Sequence, residues 1–123
     1  MTRHRLPLAF AVAGLLAGAV AVPAIAKVPS AASAAELTYM GYHEGVYAAV
    51  ECRGAKFSPA DYQILETRIN ERAGASIHTG RQLQLIEAAK TSMGSAMSHA
   101  GCAAPQVREA LIRFDGLRGY QTK

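Results

Sequence analysis

The sequence predicts an all-α fold: a small four-helix bundle-like domain with one disulfide, following a cleaved signal peptide. Three observations predict it. Three segments open on helix-capping residues and a fourth on proline, and most close on glycine. No run alternates apolar and polar residues for long enough to make a strand. Two cysteines, Cys52 and Cys102, stand far apart in a chain whose start reads as an export signal.

The first element is residues 1–26. Arg3, His4 and Arg5 precede an apolar run from Leu6 to Val22, and Pro23-Ala24-Ile25-Ala26 follows. A basic start, an apolar middle and a small-x-small end define a secretory signal peptide. The run is about as long as a spanning helix requires. However, alanine and glycine dominate it and Pro23 breaks it, which favours cleavage after Ala26 over an uncleaved anchor. No cysteine follows the run, which excludes a lipoprotein, and Arg3 and Arg5 are not adjacent, which argues against a twin-arginine signal. The expected location is exported, periplasmic or secreted, with membrane contact only in transit through the signal peptide.

Residues 27–32, with Pro29, read as a flexible start, and 33–118 as the helical domain. Ser33-Ala34-Ala35-Glu36 is a capping-box sequence; it predicts a helix to about Arg53, stopped by Gly54, with Tyr39, His43, Val46, Tyr47 and Val50 along one face. A cut after Ala35 would destroy this box. Ser58-Pro59-Ala60-Asp61 combines a cap, a proline at the first helical position and an acid at the dipole's positive end. The stripe Tyr62, Leu65, Ile69 and Ala73 follows, and Gly74 ends it. Glu66, Arg68, Asn70, Glu71 and Arg72 are placed on the solvated side.

Thr79-Gly80-Arg81-Gln82 predicts a third capped helix, from Gly80 to Ala100, with Leu83, Ile86, Ala89, Met93, Met97 and Ala100 inward. Gly94, in its middle, is read as a weak point or a site of close helix approach. Gly101 is its expected terminal cap. Pro105 starts a short last helix with Val107, Leu111 and Phe114 inward, ending near Gly116. Residues 119–123 are expected to fray.

Charge and cysteines bound the function. Thirteen basic and nine acidic residues give a net charge of +4. Without Arg3 and Arg5 the balance is eleven against nine, and these charges are interspersed. Phosphate backbones are bound by clustered lysine and arginine, so nucleic acid is not an expected partner. In an oxidising compartment the pair Cys52 and Cys102 is expected to form a staple. There is no Cys-x-x-Cys to act as a local redox pair and no Cys-x-x-Cys-His to attach haem.

Two constellations could carry chemistry. Tyr39, Tyr42, His43 and Tyr47 crowd three phenols and an imidazole into one stretch of helix, and four-residue spacing lets His43 face Tyr39 or Tyr47. Rings with polar tips commonly sit at core edges and interfaces, so this seam is the expected ligand or partner surface rather than a catalytic centre. Met40, His43, Met93 and Met97 combine soft thioethers with an imidazole, a donor set that suits Cu(I). Met93 and Met97 coincide with the core stripe, where methionine is an ordinary gap-filler, and His99 lies roughly 200° around the helix from Met97. There is no His-x-x-x-His, cysteine cluster or carboxylate loop for zinc or calcium. No Gly-x-Ser-x-Gly elbow and no glycine-rich phosphate loop is present; Gly74 to Gly80 reads as a turn into a capped helix.

In size, export and the pair Cys52/Cys102 the chain is similar to small periplasmic acid-stress chaperones. Val50-Glu51-Cys52-Arg53 departs from the aromatic and acidic residues that flank the first cysteine in that family, so no membership follows. What the likeness implies is client binding at acid pH, a variant of the main expectation. That expectation is an exported, non-catalytic binding or interaction protein, with no resident cofactor and a protein or small-molecule partner in the extracytoplasmic space. Its alternative is copper handling by the Met/His set.

Overall fold

The computed structural model describes residues 31–119, which form four α-helices and one 3-10 turn, with no strand among them. The signal peptide expected over 1–26 lies outside the described residues, as do most of 27–32 and the tail 120–123. No helix among the described residues is long and apolar enough to cross a membrane.

α1 spans Ala34–Arg53. Ser33 Oγ accepts from the Glu36 amide at 3.1 Å. The Glu36 carboxylate is bonded chiefly to Arg81 of the third helix, at 2.8 and 3.1 Å, with a weaker contribution from the Ser33 backbone. Gly54 closes α1 with φ 64°, a left-handed conformation that glycine adopts without a Cβ clash.

α2 spans Pro59–Ala73, and here the reciprocal box is complete: the Asp61 amide donates to Ser58 Oγ and the Ser58 amide to Asp61 Oδ2. Phe57, just before the cap, packs edge-on against Tyr62 at 5.4 Å between centroids. This pair is a hydrophobic staple. It accounts for Tyr62 being 48% exposed rather than part of the inner stripe, whose buried members are Leu65 and Ile69.

α3 spans Thr79–Ala100, and its cap is His78, not Thr79. His78 Nδ1 accepts from the Gly80 amide at 3.1 Å, and Thr79 becomes the first helical residue. The inner face holds the predicted Ala89 and Met93, but its ends differ from the prediction: Leu85 is buried while Leu83 is 60% exposed, and Ala100 is exposed. Apolar residues surround the first turns of this helix, so composition leaves the choice of face open. Arg81 and Gln82, bonded to α1 and α2, decide it. Gly94 approaches nothing; a Cβ there would meet open space.

After the 3-10 turn Gly101–Ala103, α4 spans Pro105–Gly119, one turn beyond the predicted stop. Leu117 is fully buried and holds that last turn in the core. Leu111 is only partly buried, and Ala110 takes the inner position beside Val107 and Phe114.

α1 packs against all three other helices. α2 returns antiparallel, so Glu66 lies opposite Tyr39 and His43. α3 runs in the same direction as α1: Arg81 at its start meets Glu36, and Met97 near its end lies 4.0 Å from the sulfur of Cys52. α4 meets α1 at Gly45, where a Cβ would lie 2.5 Å from the Ala110 carbonyl oxygen. Only a glycine lets these two backbones come so close, and this, rather than Gly94, is the close approach.

The core has two clusters along α1. One gathers Tyr39, Met40, Val46, Ala49, Leu65, Ile69, Leu85, Ala89, Phe114 and Leu117. The other, smaller and alanine-rich, gathers Ala48, Met93, Ala104, Val107 and Ala110. The Cys52–Cys102 disulfide joins the end of α1 to the turn before α4, with Cα atoms 5.7 Å apart. Such a bond is compatible with an oxidising compartment.

Candidate functional site

The polar centre of the molecule is a chain of side chains linking α1, α2 and α3. Tyr39 is fully buried and its hydroxyl donates to Glu66 Oε1. His43 lies one turn on, its ring 4.6 Å from that of Tyr39, and its Nε2 is 2.9 Å from Glu66 Oε2. A carboxylate only accepts, so His43 Nε2 carries the proton in this bond. Asn70, one turn along α2, donates to the Glu66 backbone carbonyl at 2.9 Å and to Oε1 at 3.3 Å. Gln82 of α3 then donates to Asn70 Oδ1 at 3.1 Å.

Glu66 is the residue that sequence reasoning missed. It was expected on the solvated side with Arg68, Asn70, Glu71 and Arg72; instead Glu66 and Asn70 point into the seam. The signal was partly there: Glu66 lies one residue after Leu65 and three before Ile69, on the edge of the apolar stripe. Nothing in the sequence said that this edge would meet Tyr39 and His43.

The electrostatics follow from burial and hydrogen bonding. Burial opposes charge on Glu66, but the bonds from His43, Tyr39 and Asn70 outweigh it and hold the carboxyl below its ordinary value. Tyr39 is held far above the ordinary phenol value, first by burial and then by the hydrogen bond and charge of Glu66. At neutral pH the seam therefore contains an ionised carboxylate flanked by a protonated phenol. It can orient α2 and bind a proton on acidification. Tyr39 is not placed to act as a base.

The other expected surface residues separate. Tyr42 packs against the first core cluster and Tyr47 against the second, both partly buried. Tyr39, expected on a surface, is inside. The thioethers are also divided: Met40 belongs to the first cluster, while Met93 is in the second and Met97 packs against it. His43, the proposed imidazole ligand, is bonded to Glu66. Among the described residues no group of three histidine, cysteine or acidic side chains could hold a metal ion.

Two further polar links pin α4 to α1. Arg113 donates from Nε to the Gly41 carbonyl at 3.2 Å and reaches Glu44 at 3.5 Å. Burial raises the Glu44 carboxyl above its ordinary value, against the attraction of Arg113. Arg53 makes a two-pronged bond to Asp115 at 2.6 and 2.9 Å. Arg113 is thus a helix-to-helix tie. Arg81, at the start of α3, is spent on Glu36 and Gln84. Every fully buried side-chain nitrogen or oxygen among the described residues has a partner.

Comparison of the chain with protein-family models, with curated proteins and with solved structures finds no match.

Proposed function

We propose that this chain is a small exported helical module, periplasmic or secreted, that acts by binding a partner and has no catalytic activity of its own. The observation that carries this reading is the closed state of its acid–base groups. Both carboxylate oxygens of Glu66 are taken, by Tyr39 and His43, across the α1–α2 interface. General acid–base work requires a proton path to a substrate, and these groups are aimed at one another. Every helix also leaves a large apolar side chain in solvent: Leu37, Tyr62, Ile64, Leu83 and Ile112. The disulfide between distant parts of the chain and the leader-like residues 1–26 support export.

Native and denaturing mass spectra of the protein recovered from the extracytoplasmic fraction of its host test this. The expected product begins at Lys27, is two hydrogens lighter than the reduced chain, and carries extra native mass that denaturation removes. A bare native mass overturns the binding reading. A full-length, reduced, membrane-associated product overturns export. A copper-sized increment would replace an organic or protein partner with the Met/His alternative.

A further inference from the structure

A second convergence of side chains lies at the far end of α1, away from the Tyr39–Glu66–His43 seam, and it is made of sulfur. Cys52 sits in the last turn of α1, Met97 in the last turn of α3, and Cys102 in the 3-10 turn that follows. Met97 Sδ stands 4.0 Å from Cys52 Sγ, which is bonded to Cys102 Sγ. Cys52 and Met97 are partly buried beside the second core cluster, and Cys102 is exposed. Three sulfurs from three elements thus share one place, with one side in the core and the other reachable from solvent.

The bridge is not all that holds them there. Arg81 ties α3 to α1 through Glu36, and Met93 of α3 shares a cluster with Ala48 of α1. Arg53 and Arg113 tie α1 to α4 through Asp115 and Gly41. Opening the disulfide therefore leaves two thiols and a thioether facing one another. Metal–thiolate bonds of about 2.3 Å place the sulfurs of a trigonal site about 4 Å apart, the separation Met97 and Cys52 already have. All three donors are soft, and thiolates with a thioether select Cu(I) over harder ions. Zinc takes four ligands from histidine, cysteine and acids, and among the described residues no third member of that group joins the pair.

We infer that the reduced protein binds one Cu(I) ion through Cys52, Cys102 and Met97, and that the disulfide is the closed form of this site. The inference goes beyond the binding reading and does not rest on it. It also differs from the Met40–His43–Met93–Met97 set, which needs no reduction and whose members the fold divides between two clusters. Opening takes an external dithiol. Its thiolate attacks the exposed Cys102 sulfur, forms a mixed disulfide and releases Cys52 as a thiolate. The reductant's second thiol then displaces Cys102 and closes the reductant's own disulfide. Two electrons and two protons pass to the protein. Cu(I) binding releases two protons as both thiols become thiolates, and the metal keeps its oxidation state. The ion then closes the same loop as the covalent bridge.

The test is an anaerobic Cu(I) titration of the purified protein, both oxidised and after reduction with dithiothreitol and removal of the reductant. Cu(I) is supplied as its bicinchoninate complex, so capture is read as loss of that complex's visible colour. The reduced protein is expected to take one equivalent, with an ultraviolet thiolate-to-copper band and a higher thermal midpoint than its metal-free form. The oxidised protein is expected to take none. Met97→Leu removes the thioether at similar volume and leaves both thiols; it should weaken capture by about tenfold or more, and Cys102→Ser should weaken it further. Four outcomes overturn the inference: no capture by the reduced protein, equal capture by the oxidised one, either variant binding like the parent, or loss of helical circular dichroism when the metal-free protein is reduced. The native mass of the oxidised protein is untouched by any of these, so the binding reading stands or falls separately.

Discussion

Replacing Gly45 with alanine tests the α1–α4 contact directly. The added Cβ would lie 2.5 Å from the Ala110 carbonyl oxygen, 3.0 Å from Phe114 Cβ and 3.2 Å from the Phe114 amide nitrogen. Two of these atoms are backbone, so no side-chain rotation relieves the clash and α4 itself must retreat. Overpacking of this kind costs typically about 1–3 kcal/mol. The upper end applies here, because a retreat also opens the contacts around Ala48, Val107, Ala110 and Phe114, all at most 1% exposed. A gap of even ~0.5–1 Å forfeits a quarter to a half of each dispersion well. Against this, alanine is a better helix former than glycine by about 1 kcal/mol. The net expectation is a loss of about 2 kcal/mol, or roughly 8–16 °C in Tm for a domain of this size.

Gly94→Ala is the matched control. It makes the same chemical change within a helix, but its Cβ would meet open space. It should therefore stabilise by up to about 1 kcal/mol. Urea and thermal denaturation of both oxidised variants, followed by circular dichroism, measure the two effects. Opposite signs are expected. If Gly45→Ala were as stable as the parent, or moved with Gly94→Ala, the close packing of α1 on α4 would be wrong.

Four further outcomes follow from the same structure. Replacing Cys52 and Cys102 together by serine releases a bridge across 50 residues and should lower stability by up to about 4 kcal/mol in the chain-entropy model; a urea midpoint within error of the oxidised parent would count against a stabilising staple. Tyr39→Phe removes the hydroxyl bonded to Glu66 and should cost about 1–2 kcal/mol, with a Tyr39→Phe/Glu66→Gln double-mutant cycle reading out the coupling. The Glu66 carboxyl is held below its ordinary value in the folded chain, so its contribution is complete above the unfolded value of 4.5 and is lost as pH falls through the folded one; Glu66→Gln should flatten that part of the acid limb relative to the parent. Glu44 acts in the opposite sense, since burial raises it, and Glu44→Gln should leave acid stability nearer the parent and improve stability at neutral pH.

The starts of α1 and α2 and the stops at Gly54, Gly74 and Gly101 were legible because caps are local chemistry. Ser58, Pro59 and Asp61 hold α2 through bonds spanning only three residues. The disulfide was legible because only one pairing exists. What failed was long-range. The start of the inner face of α3 was misplaced, at Leu83 rather than Leu85, because Leu83, Leu85 and Ile86 are all apolar and their period does not choose among them. His78 displaced Thr79 as a cap because a ring nitrogen can do what a hydroxyl does, a substitution outside the usual preference. Glu66 looked like a surface acid because its partners are 23 and 27 residues away. Gly45 and Gly94 are indistinguishable as letters; only the position of α4 tells them apart.

The attachment of α2 explains why the polar seam exists. This helix buries only two side chains fully within the core, Leu65 and Ile69, which at about 1.5–3 kcal/mol each is a modest anchor for fifteen residues. Two apolar contacts one turn apart do not fix rotation or register. Glu66 lies between them in sequence and receives Tyr39 and His43 from α1, while Asn70 meets Gln82 of α3. These directional bonds select one rotation of α2, because a turn of 100° would leave the Tyr39 hydroxyl buried without an acceptor, at a cost of about 1–3 kcal/mol.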